Sequence, residues 1–478
     1  MLYLREMKNQ KNKIKRIHFI GVKGVGVSSL ALIAKDAGVE VTGSDVEEVF
    51  ITDRQLIDAG IKIFSGFNPE NVSGADLVIT TGAHGGFSNV ESIAAKEKGI
   101  PVISQAQALG LFMNGEIFGK KFEGVAVCGS HGKTTTSSMI STVLKVAGMD
   151  PSYAIGTGHI PSLGSSGHLG SGKYFIAEAD EYVVDIENDR TPKLFFLSPR
   201  FIVVTNVDFD HPDVYKSIEE VRKVFLEFAE RLPQNGLLIA CGDSVEDKKL
   251  LGQYKGRKIS FGISPVNDIN IKKVSMNDQQ MFFWVESKGT LLGEFSTQVF
   301  GEQNAINALS SIAFGLEIGL SVEQIKKGLA SFRGSKRRSE FIGCTKNNAF
   351  VYDDYAHHPE EIKKTLAAFK NAFPKKRIVA IFQPHMYSRT KKLLEQFISS
   401  FSQADEVIIS EIFASFREET DPSFSAKLIS DGIGHKSAFK KSLEDVIEYA
   451  DKKNYSGDTV LVIMGAGDVY KIAERLVL

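Results

Sequence analysis

The stretch Gly124–Thr136, GVAVCGSHGKTTT, decides how this chain is read. An apolar run with β-branched residues (Gly124–Cys128) enters a glycine-containing loop. The loop opens into SSMISTVLKVAG, whose apolar spacing predicts a helix. A strand that meets a helix through such a loop gathers backbone N–H groups and the positive end of the helix dipole at one point, which suits a phosphate. Gly129, Ser130, His131 and Gly132 make the loop. Lys133 stands where an ammonium reaches β- and γ-phosphates, and Thr134 or Thr135 where a hydroxyl meets Mg²⁺. The spacing departs from G-x-x-x-x-G-K-[ST], because Val127 occupies the first glycine position. A plain glycine turn before a helix is the bland alternative, and the strand, lysine and hydroxyls together argue against it.

Downstream of the loop, YFIAEADE carries Glu178, Asp180 and Glu181, and FIVVTNVDFDHPD carries Asp208, Asp210, His211 and Asp213. Each acidic run follows a strand-like segment, at the carboxyl end where parallel sheets bind ligands. Oxygen donors suit Mg²⁺, and a histidine can complete a second site. Alone, either run would be a solvated acidic turn.

Upstream, Arg16–Ile20 (RIHFI) meets Gly21-Val-Lys-Gly24-Val25-Gly26, and a helix pattern runs to a C-terminal stop at Gly38. EVTGSD then predicts a strand ending in Ser44 and Asp45. This second anion-binding turn has G-x-G, but Ser29 stands where the dinucleotide fingerprint has its third glycine. A third block follows FRGSKRR, with strands AFVYDDY, RIVAIFQ, EVIISEI and TVLVIMGAG, and helices PEEIKKTLAAFKNAF and TKKLLEQFISSF. Between the second and third blocks, runs such as MFFWVES point to an antiparallel portion.

Three restarts of strand, loaded turn and helix predict an α/β chain of three domains. The N-terminal one is Rossmann-like (1–117), the central one a phosphate-loop ATPase type with a mixed sheet (118–333), and the C-terminal one Rossmann-like (334–478). The length of 478 residues accommodates three domains. Lys and Arg total 57 against 58 Asp and Glu, so no global field favours nucleic acid, and an anion must meet a local site. The three cysteines lie far apart without metal or disulfide spacing, which fits reduced thiols. The N-terminal stretch is polar and basic with no apolar run after it, and no segment has the ~20 apolar residues of a membrane span. The expected location is cytoplasmic, with no membrane partner.

Nine strings in order, GVKGVGVSSLA, GSHGKTTT, EADE, NVDFDH, GEQNAINAL, FRGSKRR, DDYAHHPEEI, FQPHMYSRT and MGAGD, resemble those of the Mur ligases. The resemblance covers nearly the whole chain. It implies an ADP-forming ligase that uses ATP and Mg²⁺ to join L-alanine to the carboxylate of UDP-N-acetylmuramate through an acyl phosphate, acting on small molecules as a monomer or weak homodimer. It implies that Thr134 and Glu178 hold one Mg²⁺ and His211 a second. It places Asn304 and Asn307 at the adenine, and Arg338 and Asp353 at the nucleotide from the third domain. Gly21, Gly24, Val25, Gly26, Ser44 and Asp45 would face the UDP moiety. His357, His385 and Arg389 join Lys133 as catalytic candidates, with Tyr355 lining the same cleft and Arg389 suited to a bidentate grip on a carboxylate.

Departures stand beside these matches. Lys23 replaces a usual glycine, Gln303 a usual histidine, and Met386 a usual arginine, with Lys336, Arg337 and Arg338 as possible compensating charges. The segment YVVDIENDRTPK after EADE is unlike the usual short serine-containing stretch. EADEY and FDHPDVY lean toward a related ligase that recycles murein tripeptides. A dehydrogenase reading rests on the first glycine turn, with Asp45 at a tolerable distance for a ribose contact. A non-enzymatic nucleotide switch would lack the cluster of His357, His385 and Arg389, and a folate-polyglutamate ligase would lack the N-terminal nucleotide block.

Overall fold

Strand β1 (Arg16–Ile20) lies at the centre of a five-stranded sheet with β2 (Glu40–Asp45), β3 (Lys62–Ser65), β4 (Leu77–Thr80) and β5 (Val102–Ser104). The order is β3-β2-β1-β4-β5 and every pairing is parallel. Ile17, Phe19, Leu77 and Ile79 are buried, which is why these strands read as near-continuous apolar runs. The order reverses beside β1, where a parallel sheet opens a crevice at its carboxyl ends. The helix Val25–Asp36 follows β1 and ends before Gly38, which takes φ +75 as the expected left-handed stop. The computed structural model describes residues 14–185, 189–211, 213–276, 280–414 and 420–477. The N-terminal stretch read as polar and basic falls largely outside them.

The second sheet is built around β6 (Glu123–Cys128), the strand that enters the phosphate loop. Beside it are β7 (Ser152–Ala154), β8 (Gly167–His168) and β9 (Tyr174–Glu178), and a separate antiparallel hairpin is formed by β10 (Val183–Asp185) and β11 (Asp189–Pro192). The sheet continues with β12 (Phe201–Val204), β13 (Leu237–Cys241), β14 (Lys258–Gly262), β15 (Ile269–Met276), β16 (Met281–Ser287) and β17 (Thr290–Thr297). Its order is β17-β16-β15-β14-β13-β12-β6-β9-β7-β8. The middle pairings are parallel, and β7–β8 is antiparallel. Only Lys288 and Gly289 join β16 to β17, a link that permits antiparallel pairing alone, as the sequence suggested.

The third sheet contains β18 (Glu340–Cys344), β19 (Phe350–Asp354), β20 (Arg377–Phe382), β21 (Glu406–Ser410), β22 (Ser437–Lys440) and β23 (Thr459–Met464), in the order β18-β19-β23-β20-β21-β22. All pairings are parallel except that of the edge strand β18. The segment read as one helix, TKKLLEQFISSF, is instead two, Tyr387–Lys392 and Leu394–Ser400, broken at Leu393 (φ −112). The break turns the second piece so that Phe397 packs, with Phe401 just beyond it, on Phe382 at ring separations of 5.6 and 5.5 Å.

The chain forms two compact units. The first takes in the chain up to Ile271 with Glu286–Leu292 and Asn307–Leu329, and the second takes in Lys272–Val285, Gly293–Ile306 and the chain from Ala330 onward. The first block and most of the second thus share one unit. A Cβ on Gly167 would lie 2.0 Å from the Ser29 carbonyl oxygen, so the helix after β1 packs against the edge of the second sheet at backbone distance. Cys128 and Cys241 are buried in the first unit, while Cys344 on β18 is half-buried.

Candidate active site

The phosphate loop is shaped by two glycines and by the strand beside it. Gly129 takes φ +127, and a Cβ there would sit 2.2 Å from Thr205 Oγ1. Gly132 takes φ +83 at the start of the helix Lys133–Val146, and a Cβ there would sit 2.9 Å from Asn307 Oδ1. Only glycine fits either place. Asn206 clamps the loop from both sides: its Oδ1 accepts from the His131 N–H (3.0 Å) and its Nδ2 donates to the His131 carbonyl (2.9 Å). Ser130 Oγ donates to the Asp208 carbonyl and accepts from the Asp208 N–H. Thr205 and Asn206 were not singled out from sequence, although they lie next to and within the quoted NVDFDH run.

Lys133 Nζ donates to the Gly129 carbonyl (2.7 Å) and lies 2.9 Å from Glu181 Oε2. Burial disfavours its charge, but Glu181, Asp180 and Glu178 more than offset this and hold the ammonium well above its ordinary range. Thr134 is buried and Thr135 half-buried on the first turn behind it. Among the described residues, Asp180, Glu181 and His211 bring one ligand atom each to within 4.8 Å of one another. His211 takes φ +55, lies 3.6 Å from Glu181 Oε1 and 3.7 Å from Asp210 Oδ2, and meets the Tyr182 ring edge-on at 4.8 Å. Two carboxylates and an imidazole form a donor set that fits a divalent cation taking mainly oxygen ligands. Glu178 is placed differently: its Oε1 accepts from the Gly156 N–H at 2.9 Å. Asp180 and Glu181 gather with His211, and Glu178, expected to share a separate ion with Thr134, lies outside that group.

In the N-terminal block, Gly21 N–H and Val22 N–H donate to the Ser44 carbonyl, at 2.9 and 3.2 Å. The Asp45 carboxylate accepts from the Lys23 N–H (2.7 Å) and the Val46 N–H (2.8 Å). Ser44 and Asp45 are buried under the turn, where they shape it from behind. Gly24, Val25 and Gly26 form the start of the following helix, and Val25 is exposed. The Lys23 ammonium turns back onto the Val46 and Glu48 carbonyls (2.9 and 2.7 Å) and lies 3.6 Å from Asp53 Oδ2, so its charge is taken up by the segment that follows β2. His84, not read from sequence, takes φ +54 and lies 3.6 Å from Asp45 Oδ1, beside Gly21.

The second unit holds the remaining candidates. Arg337 is buried, with Nε on Asp353 (3.2 Å), Nη1 donating to the Gly467 carbonyl (2.9 Å) and Nη2 to that of Gly465. Its charge is committed to these partners, so Arg337 does not compensate for the arginine missing at 386. Burial raises the Asp353 carboxyl to about 7 in spite of Arg337. The guanidinium of Arg338 lies 5.1 Å from the Tyr355 ring centre. His357 Nδ1 lies 3.0 Å from the Tyr355 carbonyl oxygen, and its ring stands 6.3 Å from that of His385, which stacks on Phe413 at 5.7 Å. Burial pushes the His357 imidazole down, Glu361 pulls it up, and Arg389 adds to the lowering. Arg389 Nη1 is buried with no hydrogen-bond partner among the described residues. Met386, next to His385, takes φ +73. Asn304 Nδ2 donates to the Phe300 carbonyl (2.7 Å).

Three family models match the chain in this order: the Mur ligase family catalytic domain over residues 16–116, the Mur ligase middle domain over 127–315, and the Mur ligase glutamate ligase domain over 337–467. The chain belongs to the Mur ligase family. This Mur ligase is 41% identical over 466 residues to a UDP-N-acetylmuramate–L-alanine ligase of Desulfitobacterium hafniense, covering 96% of this chain and 99% of that one. It is 40% identical to the protein of that name from Caldanaerobacter subterraneus, over 97% of each chain. Its fold is similar to that of a UDP-N-acetylmuramate–alanine ligase from Thermotoga maritima, with a TM-score of 0.79 at 27% identity over 97% of this chain and 98% of that one. A murein peptide ligase from Psychrobacter arcticus gives 0.68 at 26% identity, with the same coverage. Among the described residues, no helix is long and apolar enough to cross a membrane.

Proposed function

We propose that this chain joins L-alanine to the carboxylate of UDP-N-acetylmuramate in an ATP-driven, ADP-forming reaction of peptidoglycan precursor synthesis. The observation that carries the reading is the seating of Lys133 between the phosphate loop and the Glu181–His211 pair, in a chain whose full-length relatives bear that enzyme's name. Domain limits near residues 118 and 334, a cytoplasmic location and action as a monomer or weak homodimer belong to the same reading.

The loop amides and Lys133 hold the triphosphate of ATP and neutralise charge as the γ-phosphoryl group moves to the substrate carboxylate. Asp180, Glu181 and His211 would hold a divalent cation, which supplies further positive charge against the phosphates when bound. The turn Gly21–Gly26 presents helix N-terminal amides to the UDP pyrophosphate, while Ser44 and Asp45 fix its shape. In the second unit, Arg389 takes the carboxylate of the incoming amino acid. His357, kept neutral by burial, is suited to accept a proton from its ammonium, which frees the amine for attack on the acyl phosphate.

Phosphate release with ATP, Mg²⁺ and UDP-N-acetylmuramate tests the reading, comparing alanine, glycine, serine and murein tripeptide as acceptor. Selective stimulation by alanine is expected. Stimulation by the tripeptide alone would transfer the assignment to murein peptide recycling, the reading favoured by the Psychrobacter arcticus likeness.

A further inference from the structure

The stretch after EADE that is unlike the family's usual one, YVVDIENDRTPK, ends in a cation beside the acidic cluster. Lys193 follows the last residue of the hairpin β10–β11, and its backbone is tied down where the cluster begins. Lys193 N–H donates to the Tyr182 carbonyl (2.9 Å), and Leu194 N–H donates to that of Asp180 (2.9 Å). With the backbone fixed, Lys193 Nζ lies 2.9 Å from Asp180 Oδ2 and 5.4 Å from the centre of the Tyr182 ring. The same ring packs on His211 at 4.8 Å. Each acid of the cluster therefore has its own ammonium, Lys133 on Glu181 and Lys193 on Asp180. The two differ in tether. Lys133 belongs to the phosphate loop and can exchange Glu181 for a phosphate. Lys193 is held by the hairpin, outside the loop, and has no phosphate role in the arrangement described above.

We propose that Lys193 is a built-in counter-cation of the acidic cluster, which lowers the affinity of Asp180, Glu181 and His211 for a free divalent cation so that binding to the nucleotide-free enzyme is weak. The inference rests on the reading of this cluster as the cation site. A fixed positive charge beside a carboxylate competes with an incoming cation for the same lone pairs and repels it through space. Its removal strengthens cation binding, whereas the loss of a merely structural contact does not.

The test uses the full-length protein without nucleotide, titrated with Mn²⁺ and followed by the electron paramagnetic resonance of the free ion. The cluster's share is the binding lost in His211→Ala. Lys193→Met and Lys193→Gln are expected to bind Mn²⁺ at the cluster about tenfold tighter than the parent, the effect of removing one nearby like charge. Lys193→Arg is expected to match the parent. Melting in EDTA identifies any variant that fails to fold, and the second neutral variant then decides. Unchanged or weaker binding in a folded neutral variant overturns the role of Lys193 while leaving the cluster reading in place. No binding lost on His211→Ala, in any of these backgrounds, overturns the cluster reading and this inference with it.

Discussion

Lys133 and Glu181 form a close ion pair, with Nζ 2.9 Å from Oε2 and the carboxylate almost wholly withdrawn from solvent. The phosphate-binding ammonium is thus pre-positioned by an acid that belongs to the candidate cation site. Removal of either partner should act on both functions.

Lys133→Ala is expected to lower ATP-dependent phosphate release by at least ~100-fold, as for loss of a preorganised charge at a transferring group. The same change leaves Glu181 buried without its ammonium, so the thermal midpoint should fall as well. Steady-state phosphate release and melting on one preparation check both. Near-normal release from a folded variant would remove Lys133 from the chemistry.

The first glycine turn should bind the UDP-sugar and not a nicotinamide dinucleotide. A dinucleotide fold offers an acid to the ribose hydroxyls, but both oxygens of Asp45 are engaged by the Lys23 and Val46 amides and the residue is buried. Titration with UDP-N-acetylmuramate and with NADH separates the alternatives. Tight NADH binding with no response to the UDP-sugar would reverse the reading.

Arg389→Ala should raise the apparent KM for alanine, since Nη1 is buried and has no partner among the described residues. Loss of a charge-assisted bidentate contact costs about 2–5 kcal/mol. Met386→Ala should have a much smaller effect on KM. Melting curves taken alongside discriminate a binding role from a turn-stabilising one. An unchanged KM with a lowered midpoint would place Arg389 in the turn alone.

His168 supplies a pH dependence to the first unit. Its Nδ1 lies 2.7 Å from Asp36 and its Nε2 3.3 Å from Asp150, and the hydrogen bond to Asp36 raises the imidazole above its ordinary value in spite of partial burial. Because the folded-state value is the higher one, the stabilisation is fully present below about pH 6.5 and is lost as pH rises through the folded-state value. The melting midpoint of the parent should therefore fall more between about pH 6 and pH 8.5 than that of His168→Gln. Parallel pH profiles of the two proteins would disprove this.

Several strands were legible as short runs set between turn residues: Arg16–Ile20, Glu40–Asp45 and Met281–Ser287 occur with the limits read from sequence. The direction of individual side chains was not legible. Glu178 and Glu181 sit three residues apart in one acidic run, and only the path after β9 turns Glu181 toward Lys133 while Glu178 takes the Gly156 amide. Arg337 and Arg338 are adjacent and chemically alike, and both guanidiniums lie 5.1 Å from the Tyr355 ring centre, yet Arg337, with a left-handed φ of +61, is turned onto Asp353 and the carbonyls of Gly465 and Gly467. The clamp of Asn206 on His131 depends on pairing between β6 and β12, a contact across about 75 residues that local patterns do not encode.

The three thiols differ in a way that is useful at the bench. Burial pushes Cys128 and Cys241 far above the ordinary thiol range and shields both from reagents, whereas Cys344 lies half-buried on the edge strand β18. A maleimide dye applied to the unmodified protein under mild conditions should therefore attach at Cys344 first. The C-terminal unit can then carry a fluorescent reporter without any engineered cysteine, and its response to nucleotide or amino acid can be followed directly.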